Sequence, residues 1–437
     1  MENLQDQSRV EKETTRSLDQ AARQNKSGVR RIILWFLAML VGGILGYLQV
    51  PQINDLFNFI ATVFTRLFQF VAVPVIALAV ITTLAAVGAK RETGRIFGHA
   101  VFYTLTTTVT ASLIALAIFV FISPDNIASQ ALTEQVPEKF GSMSYYDHIL
   151  SVIPNNILQP FVSGNVLSVM LIAAAVGLAL AFMPKTEHRD LIVAFLNGLQ
   201  EVLFTLIRAL LAVLPIGIMA FTGQLVSQIE AGIIVGALGQ YTTVIIGSNL
   251  IQFFIVLPIF LLLRFANPIT VFKGMFPALC VALFSKSSAG TLPVTLASAE
   301  VNLGLDRRVT RFVLPICTTI NMNGCAAFIL VTSLFLMQNA GIAITSGTMI
   351  TWVFISVLAA VGNAGVPMGC YFLTISLMSS MGIPVDIMGI ILPIYAVIDM
   401  IETCVNVWSD ACVATMTHLD LKGKLPPIEE GEEAAAI

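Results

Sequence analysis

From residue 312 to residue 385 the chain carries no charged side chain. No water-soluble fold can clothe so long an apolar run, because soluble domains are about a quarter charged. Here 57% of residues are hydrophobic and 11% charged, so too little polar surface remains to cover a soluble core. Further uncharged apolar stretches span residues 32–54, 67–89, 96–124, 149–184 and 231–263. Each is long enough to cross a bilayer core, which takes about 20 residues as a helix. The chain therefore reads as an all-α polytopic membrane protein with the lipid bilayer as its partner.

Charge sets the expected topology. Residues 1–28 are polar, of mixed charge and without an apolar h-region, so they read as a cytoplasmic tail and not a signal peptide. Arg30 and Arg31 precede the first apolar stretch, and bases recur at Lys90, Arg91, Arg95, Lys185, Arg189, Arg264 and Lys273. The intervening loop at 125–148 has Asp125, Glu134, Glu138 and Asp147 against Lys139. The positive-inside rule then puts the N-terminus in the cytoplasm. Six spans are expected at 30–49, 52–89, 94–123, 149–184, 190–228 and 231–264. Some exceed a straight crossing, which predicts tilt or breaks.

The last third is punctuated differently. Three clusters, "SKSSAGTLPV" at 285–294, "TTINMNGC" at 318–325 and "VGNAGVPMG" at 361–369, combine Gly with Ser, Thr or Asn, and two of them add Pro. Gly and Pro interrupt helices. Interrupted backbone at membrane depth survives only inside protein or against a wet cavity. Paired interruptions of this kind point to a transporter site built from inverted repeats. Exposed N–H groups at such tips favour a carboxylate. At the "NMNGC" break, carbonyls and the amides of Asn321 and Asn323 offer the oxygen ligands that hard cations prefer.

Downstream, Asp399, Glu402, Thr403, Asn406 and Asp410 follow at i, i+3, i+4, i+7 and i+11. That spacing places them on one helix face. Ionisable groups inside a membrane mark substrate or ion paths. Lys286 is the one base at hand for three acids, so further cations must come from outside: Na+, H+ or a substrate amine. The six cysteines, Cys280, Cys317, Cys325, Cys370, Cys404 and Cys412, form no C-x-x-C pair, and there are four histidines, so no metal motif is expected. A net charge of −3 gives no reason to expect nucleic acid as a partner. With no H-E-x-x-H and no recognisable nucleophile–base pair, an enzyme is not expected.

Four motifs in order, "SKSSAGTLPVT", "NMNGC", "GNAGVP" and "DMIETCVNVWSD", resemble those of the dicarboxylate/amino acid:cation symporters, the glutamate transporter family. The resemblance covers about residues 30–420. It implies eight transmembrane helices plus two re-entrant helical hairpins, at about 268–302 and 345–382, in an elevator-type homotrimer of the cell inner membrane with both termini cytoplasmic. The transporter domain is expected over 29–420, with a scaffold mainly of spans 1, 2, 4 and 5. A moving part of spans 3, 6, 7, 8 and the hairpins would complete it, followed by an acidic tail at 421–437.

By the same resemblance, Asp399 binds a substrate α-amino group, and Asn406 and the backbone around Ser287 and Ser288 hold its carboxylate, with Thr403 nearby. Cys325 and Glu402 lie at the side-chain end, and Val366 also belongs to the substrate site. Na+ is implied at a site of Asn321, Asn406, Asp410 and the Cys317 backbone. A second site would use the backbone at Thr319, Ala360, Val361 and Asn363. A third would use Tyr103, Thr106, Thr107, Asn321 and Asn323.

Three departures qualify this. Acidic-substrate members carry Arg where this chain has Glu402, which would repel a substrate side-chain carboxylate. The motif's Thr is Cys325. Its Asp is Asn323, which removes a charge from the third site, so two Na+ sites are expected. A neutral amino acid is the expected substrate, with Lys286 pairing with Glu402 or Asp399. The alternatives are a cationic amino acid or cystine, met by a free Glu402, or proton-coupled or exchange-only transport with Glu402 as the proton carrier.

Overall fold

The computed structural model describes residues 33–89, 94–127, 153–163, 165–184, 186–228, 233–363, 365 and 367–424. Every regular element among them is helical. The order begins α1 (Ile33–Tyr47), α2 (Pro51–Ala89), α3 (Gly94–Ile122), a short α4 (Gln159–Ser163), α5 (Val166–Phe182) and α6 (Glu187–Gln228). Then come α7 (Ile233–Ile251), a π-helical segment at Gln252–Val256, α8 (Leu257–Leu263), α9 (Pro268–Ser285) and α10 (Ser288–Ala297). The chain ends with α11 (Arg307–Ile320), α12 (Asn323–Asn339), α13 (Ser346–Val361), α14 (Gly369–Ser380) and α15 (Asp386–Leu421). The expected tails lie largely outside the described residues.

At 39 residues α2 is about 58 Å long at 1.5 Å per residue. That is far beyond a bilayer core of about 30 Å. The span expected to start at residue 149 starts instead at Val166. Ahead of it lies the short α4, and before α4 the Asn156 side chain accepts from the backbone of Leu158 and Gln159 at 2.9 and 2.7 Å, forming a turn. Asn165 then caps α5 by accepting from the Ser168 N–H.

Helices α2, α5 and α6 pack as one layer. Helix α1 joins it where Gly42 and Gly46 lie so close to the backbone of Met219 and Gly223 that a Cβ at either would collide. This is small-residue packing of the kind membrane helices use. Large apolar side chains such as Phe59, Phe70, Leu191 and Phe195 face outward, as lipid contact requires and water discourages.

The second layer is centred on α12 and α15. Every residue from Asn323 to Met337 is buried, under α3, α7, α13 and α14. Arms α9 and α10 pack on each other and on α15 or α11, whereas α13 and α14 each pack on α12. At the base of the first pair, Asp306 caps α11 by accepting from the Arg308 N–H at 2.8 Å. The Arg308 guanidinium beside it holds the Asp306 carboxyl below its usual range.

Helices α12 and α15 meet at Gly324. A Cβ there would stand 2.8 Å from the Glu402 Cα and 2.9 Å from the Asn249 Oδ1. Gly324→Ala should therefore cost about 1–3 kcal/mol in overpacking. A thermal melt of the purified protein should read this as a lower midpoint. An unchanged midpoint would mean that the two helices yield there.

Candidate functional site

Each break in the second layer exposes backbone that finds a partner from another helix. The chain leaves α9 with Lys286 in the left-handed region, φ 57°. Ser287 then caps α10, its hydroxyl oxygen accepting from the Gly290 N–H at 3.0 Å. The same hydroxyl donates to the Gly365 carbonyl at 2.8 Å, and the Ala289 N–H reaches that carbonyl at 3.4 Å. The tips of the two helix pairs thus touch. Gly365 has φ +64°, and a Cβ there would strike the Thr318 carbonyl, so the position suits glycine alone.

Just beyond, Met368 also turns left-handed, at φ 59°, to start α14. Its N–H donates to Asp399 Oδ2 at 3.2 Å. The positive end of a helix favours such a carboxylate. Among the described residues, Asp399 Oδ1 has a long contact, 3.5 Å, from the Tyr395 hydroxyl. Lys286 adds positive charge near Asp399. Its ammonium donates to the Ala396 carbonyl and lies 3.6 Å over the Trp35 ring. This lysine is 4% exposed, so burial against an aromatic face and a carbonyl replaces its water.

One turn on, Glu402 is 1% exposed. Its Oε2 accepts from the Tyr395 hydroxyl at 3.1 Å, while Oε1 accepts nothing among the described residues. Cys325 of α12 and Cys370 of α14 complete the neighbourhood, their sulfurs and a Glu402 oxygen all lying within 4.8 Å of one another. Asn363 and Asn406 each donate an amide N–H to the Cys325 sulfur, at 3.0 and 3.2 Å. Asn406 Oδ1 accepts the orphan Gly324 N–H at the start of α12, at 2.8 Å.

Deeper, the break between α11 and α12 turns Asn321 inward. Its amide donates to Asp410 Oδ1 at 2.9 Å and to the Ser409 hydroxyl at 3.0 Å. Its Oδ1 accepts from Asn323 at 3.0 Å and Thr107 at 3.2 Å. Asp410 Oδ2 is enclosed and accepts no hydrogen bond among the described residues. A buried carboxylate so poorly satisfied is costly unless a cation joins it. Asn323 is satisfied at both ends, donating to Thr107 and Thr108 and accepting from Gln252 at 2.6 Å.

Other expected site residues lie elsewhere or are turned away. The Tyr103 hydroxyl donates to Asp420 and accepts from Arg264, outside the Asn321 centre. Thr106 donates back to Phe102, Thr319 to Ile316, and Thr403 to the Asp399 carbonyl. The Cys317 carbonyl accepts the Asn321 N–H, and its sulfur sits 3.7 Å from the Thr104 hydroxyl. The Ala360 carbonyl accepts the Asn363 N–H. Val361 ends α13, and Ser288 is buried at the start of α10. Val366 lies outside the described residues. Residues not anticipated are Thr108, Ser409 and Gln252; the amides at 249 and 252, three apart in an apolar span, were the available signal. Gln252 opens the π-helical segment, a distortion frequent at functional sites.

Helices broken around a buried carboxylate stripe, with tips closing over it, define a secondary transporter. Residues 32–418 match the model of the sodium:dicarboxylate symporter family, and the chain belongs to that family. It is 27% identical over 436 residues to Excitatory amino acid transporter 2 of Mus musculus, covering 87% of this chain and 76% of the relative. It is 28% identical over 408 residues to Excitatory amino acid transporter 3 of Mus musculus, covering 81% and 77%. With Neutral amino acid transporter A of Homo sapiens it shares 28% over 396 residues, covering 81% and 74%. The family and these relatives are transporters, not enzymes.

Proposed function

We propose that the protein imports a neutral amino acid together with Na+, as an inner-membrane homotrimer working by an elevator motion. The observation that carries the substrate assignment is Glu402. Its carboxylate is buried beside Tyr395, Cys325 and Cys370, none of which brings a positive charge, and in this reading it faces the substrate side chain. A substrate side-chain carboxylate there meets repulsion, whereas a small neutral side chain does not. The neutral relative makes such a substrate familiar to the family.

In this reading Asp399 takes the α-amino group, and the touching tips at Ser287 and Gly365 separate to admit substrate. Layer α1, α2, α5 and α6 is the scaffold; the remainder moves. Na+ is carried at the Asp410–Asn321 centre, whose idle Oδ2 and uncoiled helix end suit it. A second ion lies near the Asn363 Oδ1, which is also buried and idle. Two ions fit better than three, because Asn323 is already satisfied at both ends.

The test is uptake into proteoliposomes of a panel of labelled amino acids, with and without an inward Na+ gradient. Neutral amino acids should accumulate, and choline in place of Na+ should stop them. Equal accumulation of aspartate removes the Glu402 assignment; indifference to choline removes sodium coupling. In the same assay Asp410→Asn should raise the Na+ needed for half-maximal uptake by about a hundredfold or more. Removing one partner of a buried charge pair costs about 3–5 kcal/mol, and each 1.4 kcal/mol is tenfold. An unchanged Na+ requirement would place the ion elsewhere.

A further inference from the structure

We infer that Cys325, Cys370 and Glu402 form a binding site for a thiophilic divalent cation, Zn2+ or Cd2+. Three ligands of two types that such ions accept, two thiols and a carboxylate, converge from three helices: α12, α14 and α15. Their donor atoms lie within 4.8 Å of one another, and all three residues are buried. A tetrahedral ion with metal–sulfur bonds of about 2.3 Å sets its ligands about 3.8 Å apart, so small side-chain adjustments close the site.

Two independent features make this more than a cluster. First, Glu402 Oε1 is buried and idle while Tyr395 holds the other oxygen, so the carboxylate is oriented with one oxygen in reserve. Second, the Cys325 sulfur already accepts two amide N–H groups, from Asn363 and Asn406. Such outer partners fix the direction of the sulfur, as the supporting groups of metal sites do.

Binding displaces the two thiol protons to solvent. Two thiolates, one carboxylate and M2+ then leave a net charge of −1 on the cluster. Three protein ligands leave the fourth position open to water or to a small ligand with a thiol. An ion there also ties α14, which begins beside the second tip, to α12 and α15. Resting on the transport reading above, the consequence is arrest of uptake by micromolar Zn2+ or Cd2+.

Binding is tested apart from transport. The purified full chain, kept reduced with a phosphine, is titrated with Cd2+ while cadmium–thiolate charge transfer is followed in the ultraviolet. One Cd2+ per chain with a two-thiolate band is expected. Cys325→Ser and Cys370→Ser should each halve the band, and the double variant should abolish it. Cys404→Ser and Cys412→Ser should leave it intact. Glu402→Gln should keep the band and weaken binding by more than about tenfold, the range that losing a supporting group alone reaches. No band in the reduced wild type, or a band that survives in either cysteine variant at full height, overturns the site. Because no uptake is measured, that failure leaves the symport reading standing. A Cd2+ site in a protein that takes up nothing would instead sink the symport reading alone.

Discussion

Asp399→Asn is expected to cut uptake of every α-amino acid by a hundredfold or more at saturating Na+, with the protein still folded. The carboxylate is buried, yet it accepts one hydrogen bond of ordinary length, from the Met368 N–H, and one long contact from Tyr395. An ammonium with three donors can fill the acceptor capacity that such an oxygen pair keeps. The asparagine keeps an acceptor for Met368, so the start of α14 should survive, but the charge that draws the amine is gone. Loss of one partner from a desolvated charge pair costs about 3–5 kcal/mol, which is about two to three decades in affinity. Lys286, stacked on Trp35 and bonded to the Ala396 carbonyl, keeps those contacts in the variant and so should not unfold it. Uptake and a melting curve measured on the same preparation decide the matter. Wild-type uptake by a folded variant would remove Asp399 from the substrate amine.

Much of this interior was legible in the residues because membrane depth makes polar side chains and helix breakers conspicuous. The stripe from Asp399 to Asp410 stands out at helical spacing against Ile and Val, and all five of its members are buried. The breaks at Lys286, Asn321, Gly362 and Met368 follow the Gly, Ser and Asn clusters. What the residues concealed depends on rotation and convergence. Tyr103 and Thr106 sit a helical turn or less from Thr107, yet their hydroxyls find Asp420 and Phe102 while Thr107 meets Asn321. Gln252 lies 71 residues from Asn323 but donates to it, because a π segment turns it inward. Cys325, Cys370 and Glu402 carry no local spacing signal, since three separate helices bring them together. The late start of α5 has a local cause that apolar length alone hides, the separate short α4 and the Asn165 cap that follows it.

Glu402→Arg should invert the preference between neutral and acidic substrates, by about a hundredfold or more in the ratio of their uptake efficiencies. Two unit charges 4 Å apart interact by about 4 kcal/mol at an effective dielectric constant of 20. Exchanging carboxylate for guanidinium turns repulsion of an acidic side chain into attraction, and the swing exceeds 2.8 kcal/mol, or two decades, even after losses to water. A guanidinium also offers a planar fork that a carboxylate fits in bidentate fashion. The site is tight: Glu402 is fully enclosed, and its Cα faces Gly324 across the helix contact. For that reason Glu402→Gln is the necessary companion, since it removes the repulsion without adding bulk or positive charge. The acidic-to-neutral ratio should rise in the order Glu, Gln, Arg, with the glutamine about midway on a logarithmic scale. Competition of labelled serine by aspartate in proteoliposomes measures the ratio directly. If both variants fold and transport while the order of preference stays that of the wild type, Glu402 does not face the substrate side chain. If glutamine alone raises aspartate uptake as far as arginine does, only the repulsion matters, and the guanidinium does not reach the substrate. A graded response places the charge at position 402 in direct contact with the group that distinguishes one substrate from another.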